Sequence, residues 1–209
     1  MAAGRSAVSV GDGARAWAAR TPDAVAIAQG DRALSYRSLV ERMNRVGSAV
    51  VEGLGIAPGS HSAIFAPNCL EYLELVLGLS DARVAPVLVS PTSRLEELAT
   101  ICNDSESRVL FVDRSLEGLA RSAGLETVSR IVVLGDEYES WLSGAEPSRL
   151  ELERSDADTF MLLYTSGTTG PPKGVVLSQR AKAIQYLASA AEFGIGAPSE
   201  RSLTVGPLT

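Results

Sequence analysis

The chain has 209 residues, of which 45% are hydrophobic and 21% charged, so it can bury a core as one large domain or two small ones. Its formal net charge of -6 offers no basic surface along which a phosphate backbone would bind, and we predict no binding to nucleic acid. The chain has neither an apolar leader nor a stretch long enough to cross a bilayer, so a cytoplasmic location without a transmembrane segment is predicted.

The first elements are an alanine-rich helix, a strand and a second helix. The apolar run 24–28 ends at the turn pair Gly30-Asp31, which predicts a strand followed by a hairpin. Ser35 can cap the next helix, because apolar residues recur every three or four positions after it. These apolar positions are Leu39, Met43, Val46, Val50 and Leu54.

From residue 62 onward, strands and helices alternate. The predicted order is strand 62–65, helix 70–79, strand 84–89, a helix from 95, strand 108–112, helix 116–123, strand 131–134 and helix 136–142. We expect Ser93 and Glu96 to form a capping box at the helix that starts near residue 95. Parallel strands need long crossover connections, so the alternation predicts an α/β fold with mainly parallel sheets flanked by helices.

The segment 143–158 is polar and acidic and contains Pro147, which is typical of a surface connection. We therefore divide the chain into an α/β subdomain at 1–150 and the start of a next unit at 151–209. A helix from Ala181 is expected to bury Tyr186 and Phe193 in the core.

Several other chemically active residues have a structural interpretation. Cys69 and Cys102 fit neither a metal spacing nor a disulfide framework, so we expect buried, reduced thiols. His61 has no nucleophile elbow to pair with. Asp156 and Asp158 are a candidate carboxylate pair for a metal, but acids in a polar connection are more often solvated, and we predict no metal site.

The segment 159–180 contains the residues that are predicted to bind a ligand. An apolar run enters a loop of small hydroxyl residues and glycine, whose backbone amides and hydroxyls can donate to phosphate oxygens. Two prolines stiffen the exit of the loop, and the ammonium of Lys173 can neutralise phosphate charge. The loop residues are Thr165, Ser166, Gly167, Thr168, Thr169 and Gly170.

This loop is not the P-loop of kinases and GTPases. That motif needs serine or threonine after the lysine, whereas Gly174 follows Lys173 here. Pro171 and Pro172 also disfavour a helix that would begin at the lysine and direct its dipole at phosphate.

The segment 164–175, YTSGTTGPPKGV, resembles the signature of the adenylate-forming superfamily, which includes acyl-CoA synthetases, luciferases and peptide-synthetase adenylation domains. Four upstream segments occur in the order seen in the N-terminal domains of these enzymes: 20–23, 34–36, 66–68 and 109–112. The paired threonines and the Pro-Asn segment favour CoA ligases over amino-acid adenylation domains.

The sequence departs from the family pattern at two places. Gln179 stands where many members have histidine, and Ala82-Arg83 stands where Ala-Gly is usual. Neither departure involves a predicted phosphate donor, so we expect these substitutions to affect local packing or the acid pocket.

The resemblance implies activation of a small-molecule carboxylic acid by ATP and Mg²⁺, giving an acyl-adenylate, followed by thioester formation with CoA. The loop residues and Lys173 would then contact the β- and γ-phosphates. The family's magnesium ligand and catalytic lysine would lie beyond residue 209, so no catalytic or metal-binding residue is predicted within this chain. We expect residues 1–209 to be an incomplete N-terminal AMP-binding domain without its C-terminal domain, and to show negligible ligase turnover alone. The alternative is a non-catalytic nucleotide-binding or interaction fragment.

Overall fold

The computed structural model describes residues 8–165, 172–194 and 200–204. The α-helices are α1 (Gly11–Arg20), α2 (Tyr36–Ser48), α3 (Leu70–Asp81), α4 (Leu95–Asp104), α5 (Glu117–Ser122), α6 (Asp136–Ser143) and α7 (Gln179–Phe193). The strands are β1 (Val25–Gln29), β2 (Arg32–Ser35), β3 (His61–Phe65), β4 (Ala85–Val89), β5 (Ser107–Val112), β6 (Arg130–Val133), β7 (Thr159–Thr165) and β8 (Lys173–Ser178).

The main sheet has six strands in the order β6-β5-β3-β4-β7-β8. Strands β3 to β7 run parallel, and only β8 is antiparallel, paired with β7. The chain passes from β4 across β3 to β5, which leaves β3 at the centre and reverses the direction in which strands are added. The predicted α/β fold with a mainly parallel sheet is confirmed.

The central strands β3, β4 and β5 are buried on both faces, as parallel strands usually are, whereas the edge strand β8 is mostly exposed. Ile64 in β3 joins a cluster formed with α2, α3 and α6, whereas its neighbours Ala63 and Phe65 join a second cluster formed with α4 and α5. Alternate side chains of a strand point to opposite faces, so each parallel strand contributes to both cores.

The first hairpin and α2 form as predicted. Strands β1 and β2 pair antiparallel, and Ser35 caps α2 by accepting a hydrogen bond from the Ser38 backbone N–H at 3.2 Å. Leu39, Met43 and Val46 are buried on one face of the helix. After Ser48 the helix continues as a π-helical turn, Ala49–Gly53, which the sequence did not predict.

Three local predictions are wrong. Helix α4 begins at Leu95 with Arg94 as its N-cap and no side-chain cap, one residue too late for a capping box at Ser93. Tyr186 and Phe193 are 50% and 74% exposed, because they lie on the side of α7 that no described element covers. Cys102 is buried as expected, but Cys69, the N-cap residue of α3, is only half-buried.

The division at residue 150 stays a prediction. Strand β7 follows that boundary and pairs in parallel with β4, which precedes it, so strands from both sides share one sheet. Among the described residues, no helix is both long and apolar enough to cross a membrane.

Candidate functional site

Strands β7 and β8 hold the two ends of the predicted phosphate loop. Thr165 lies opposite Lys173 in the register of this pair, one step beyond Tyr164 opposite Gly174. Both Thr165 and Lys173 are exposed, and Thr165 Oγ1 lies 3.5 Å from the carbonyl oxygen of Lys173. The other predicted phosphate contacts lie outside the described residues: Ser166, Gly167, Thr168, Thr169 and Gly170. The structure therefore brings together the two predicted contacts that it describes.

Strand β7 ends with Thr165 at the carboxyl edge of the parallel strands, where open α/β sheets bind ligands. Ser90 follows β4, the neighbour of β7, and reaches the same edge. Its Oγ lies 2.9 Å from Oγ1 of Thr92. These two hydroxyls were not among the predicted site residues, although small polar residues directly after a buried strand are a usable sequence signal.

Lys173 supplies positive charge at this edge. Within the described part of the chain, no carboxylate forms an ion pair with it. Lys182 in α7 instead lies 4.9 Å from the ring centroid of Tyr186. A compact ammonium without a described counter-ion suits an anionic ligand such as a phosphate group.

The base of the β7–β8 hairpin is held by Arg83, one of the two departures from the family pattern. Arg83 Nε lies 3.1 Å from Asp158 Oδ2, and the Asp158 carbonyl accepts a hydrogen bond from the Gln179 backbone at 2.9 Å. Arg83 has a φ of 58°, the left-handed region in which glycine is favoured. The arginine therefore contributes an ion pair at a position whose backbone conformation suits glycine.

Gln179, the other departure, is buried and structural. Its Oε1 accepts a hydrogen bond from the Val10 backbone N–H at 2.9 Å, and its Nε2 donates to Ser80 Oγ at 2.6 Å. The side chain thus joins the start of α7 to the N-terminal segment and to α3.

An arginine cluster surrounds Asp81 close to this junction. Arg15 and Arg149 lie 2.7 and 2.6 Å from its carboxylate, and Arg154 lies 3.7 Å away. Burial by itself would raise the pKa of Asp81, but the hydrogen bond from Arg149 and the charges of all three arginines outweigh it and lower that pKa below its usual value. The carboxylate stays ionised and joins α1, α3 and the segment before β7.

The remaining polar candidates are also structural. Asp158 is engaged by Arg83 and by the Ser155 backbone N–H at 2.8 Å. His61 Nδ1 lies 2.7 Å from the carbonyl oxygen of Ser105. Within the described residues, no group of three or more His, Cys, Asp or Glu side chains could hold a metal ion.

A cavity of about 310 Å³ lies beside β2 and α3. Its buried carboxylates are already paired, Glu71 with Arg32 and Glu74 with Arg42. None of the residues that line it belongs to the β7–β8 hairpin, so the cavity is separate from the predicted phosphate site.

Comparison with known proteins identifies relatives of two kinds. The chain is 33% identical over 161 residues to surfactin synthase subunit 1 of Bacillus subtilis (strain 168), covering 77% of this chain and 4% of that protein. It is 30% identical over 154 residues to the fatty acid–[acyl-carrier-protein] ligase ScoC of Streptomyces coeruleorubidus, covering 71% of this chain and 29% of that protein. The chain therefore spans less than a third of the length of either relative.

The fold also matches that of a solved structure. The inhibitor-bound N-terminal domain of FACL13 from Mycobacterium tuberculosis superposes with a TM-score of 0.76 at 27% identity, covering 82% of this chain and 44% of that one. The model of the AMP-binding enzyme family matches residues 14–209, nearly the whole chain. The predicted resemblance is thus confirmed, and the chain belongs to the AMP-binding enzyme family of adenylate-forming ligases.

Proposed function

We propose that this chain binds ATP at the tip of the β7–β8 hairpin and contributes the phosphate loop to an enzyme that activates a carboxylic acid as its acyl-adenylate. The observation that supports this most directly is the pairing of Thr165 with Lys173 at the carboxyl edge of the parallel sheet. An exposed hydroxyl and an ammonium there can bind the β- and γ-phosphates, with the loop amides and hydroxyls completing the contacts.

The residues of this chain would act by holding the leaving group. ATP supplies the electrophilic α-phosphate and the pyrophosphate that leaves when a carboxylate attacks. Lys173 would neutralise charge that builds up on the departing phosphates, and the pairing of β7 with β8 would keep its ammonium in one place. The residues proposed for this role are Thr165, Ser166, Gly167, Thr168, Thr169, Gly170 and Lys173.

For the second step we propose transfer of the acyl group to a thiol, with CoA as the acceptor. The loop with paired threonines supports CoA. The fatty acid–[acyl-carrier-protein] ligase among the relatives favours a second acceptor, the thiol of a carrier protein. Mg²⁺ would be required with ATP, and its ligands would come from outside the described residues.

ATP titration of the chain by calorimetry tests the proposal. The double variant Thr168→Ala with Lys173→Ala removes one hydroxyl and the ammonium, and we expect at least about a tenfold loss of affinity, since hydrogen bonds to charged groups are worth about 1.5–3 kcal/mol. Lys182→Ala is the matched control, because it removes the other lysine from a position on α7. Unchanged ATP affinity in the double variant would refute the assignment.

The ligase activity needs its own experiment. We expect negligible acid-dependent exchange of pyrophosphate into ATP from the 209 residues alone, because positioning by several separate groups supplies much of this kind of catalysis. Robust exchange would contradict that expectation. In a protein of the length of its relatives, product analysis with CoA and with a carrier protein distinguishes the two acceptors.

A further inference from the structure

Tyr164 is the half-buried residue next to the start of the predicted phosphate loop. It packs against the cluster that β7 shares with α4 and α5, whereas the next residue, Thr165, is exposed. Its ring lies against Gly174, its partner across the hairpin: a Cβ added to Gly174 would be 3.1 Å from Tyr164 Cζ and 3.2 Å from the hydroxyl oxygen. The absence of a side chain at Gly174 therefore gives the Tyr164 ring the space it occupies.

The Tyr164 hydroxyl joins the hairpin to α4. It donates a hydrogen bond to Asp104 Oδ2 at 2.6 Å. Burial, and then this bond, raise the pKa of Tyr164, so the hydroxyl keeps its proton and remains a donor. Asp104 is the last residue of α4, where the helix dipole disfavours negative charge. The carboxylate therefore does not stabilise α4 at this position. Its favourable contribution is the hydrogen bond that it accepts from Tyr164.

Helix α4 is a firm support for this bond. Leu98, Ile101 and Cys102 are buried on its inner face, so the helix cannot shift without disturbing the core. A backbone displacement at Tyr164 would pass directly to the neighbouring pair, Thr165 and Lys173.

We propose that Tyr164, seated on Gly174 and bonded to Asp104, is a positioning residue that holds Thr165 and Lys173 where they bind the phosphates of ATP. The inference rests on the proposed function, because it concerns the same site. It assigns a role to a residue pair that makes no phosphate contact itself.

Hydrogen exchange without nucleotide is the first test. Tyr164→Phe and Asp104→Ala should each speed exchange at the loop-side end of β7 and β8 about tenfold, as expected for loss of one hydrogen bond. Asp104→Asn, whose amide oxygen still accepts the bond, should keep exchange slow. Glu96→Ala, which removes another acid from α4, should change nothing, and exchange in β1 and β2 serves as the internal reference.

ATP titration of the same variants is the second test. We expect Tyr164→Phe and Asp104→Ala each to weaken binding about tenfold, with the double variant no weaker than either one, because both changes remove the same bond. Asp104→Asn should bind ATP normally, because its amide oxygen still accepts the bond from Tyr164. If the carboxylate acted only through its charge, this neutral variant would bind ATP as weakly as Asp104→Ala.

The outcomes separate this inference from the function on which it rests. Unchanged exchange in both Tyr164→Phe and Asp104→Ala overturns it, and so does faster exchange combined with unchanged ATP affinity. If the unaltered chain binds no ATP while exchange responds as expected, the proposed function fails and the attachment of the hairpin to α4 through Tyr164 stands.

Discussion

Replacing Gly78 with alanine tests how closely α2 and α3 pack beneath the sheet. A Cβ at Gly78 would lie 2.6 Å from the carbonyl oxygen of Met43 and 2.8 Å from Cβ of Val46, both in α2. Neither atom can rotate away as the end of a flexible side chain can. The two helices therefore have to separate to admit a single methyl group.

The expected loss of stability follows from two opposing effects. Overpacking a well-packed core typically costs about 1–3 kcal/mol, and the contact with a backbone oxygen places Gly78→Ala at the upper end. Alanine is also the better helix former, which returns about 1 kcal/mol. The net prediction is a decrease of about 2 kcal/mol in the free energy of unfolding.

Urea denaturation followed by far-UV circular dichroism measures this change. Gly118→Ala in α5 is the matched control, because a Cβ there meets no other atom within 4 Å. The control should be stabilised by up to about 1 kcal/mol through helix propensity alone. A Gly78→Ala midpoint equal to or above that of the unaltered chain, with the same slope, would refute the packing argument.

Substitutions at three further positions test the charged and exposed regions. Asp81→Asn should lower the free energy of unfolding by about 3 kcal/mol, since the arginines lose their carboxylate. Because the pKa of Asp81 is lowered in the folded state, its stabilisation is present above the unfolded pKa of about 4 and is lost as pH falls through the folded value, so the variant should show a shallower loss in acid urea titrations. Arg83→Gly should be about 1 kcal/mol more stable than Arg83→Ala, since both lose the ion pair but only glycine relieves the positive φ; equal thermal midpoints would contradict this. Leu187→Lys, at a side chain that is 71% exposed, should leave the unfolding free energy within about 0.5 kcal/mol while reducing light scattering, and a larger loss would show that Leu187 is buried in solution.

The sequence alone determined the alternation of strands and helices, and with it the α/β class. Periodicity is a local property, so the apolar spacing of Leu39, Met43 and Val46 was sufficient to predict one buried helix face. The phosphate loop stays a prediction from sequence, based on a run of glycine and hydroxyl residues followed by two prolines and a lysine, which suits phosphate oxygens.

Tertiary packing brings together residues that are distant in the sequence. Arg83 and Asp158 are far apart in sequence and become partners only when β7 is added beside β4. In the same way, Tyr164 meets Asp104 only because α4 packs on the face of the sheet toward which the tyrosine points. The exposure of the α7 side chains also could not be predicted from the sequence. The apolar residues of α7 suggest a core helix, but their burial depends on which elements lie against them and not on their spacing.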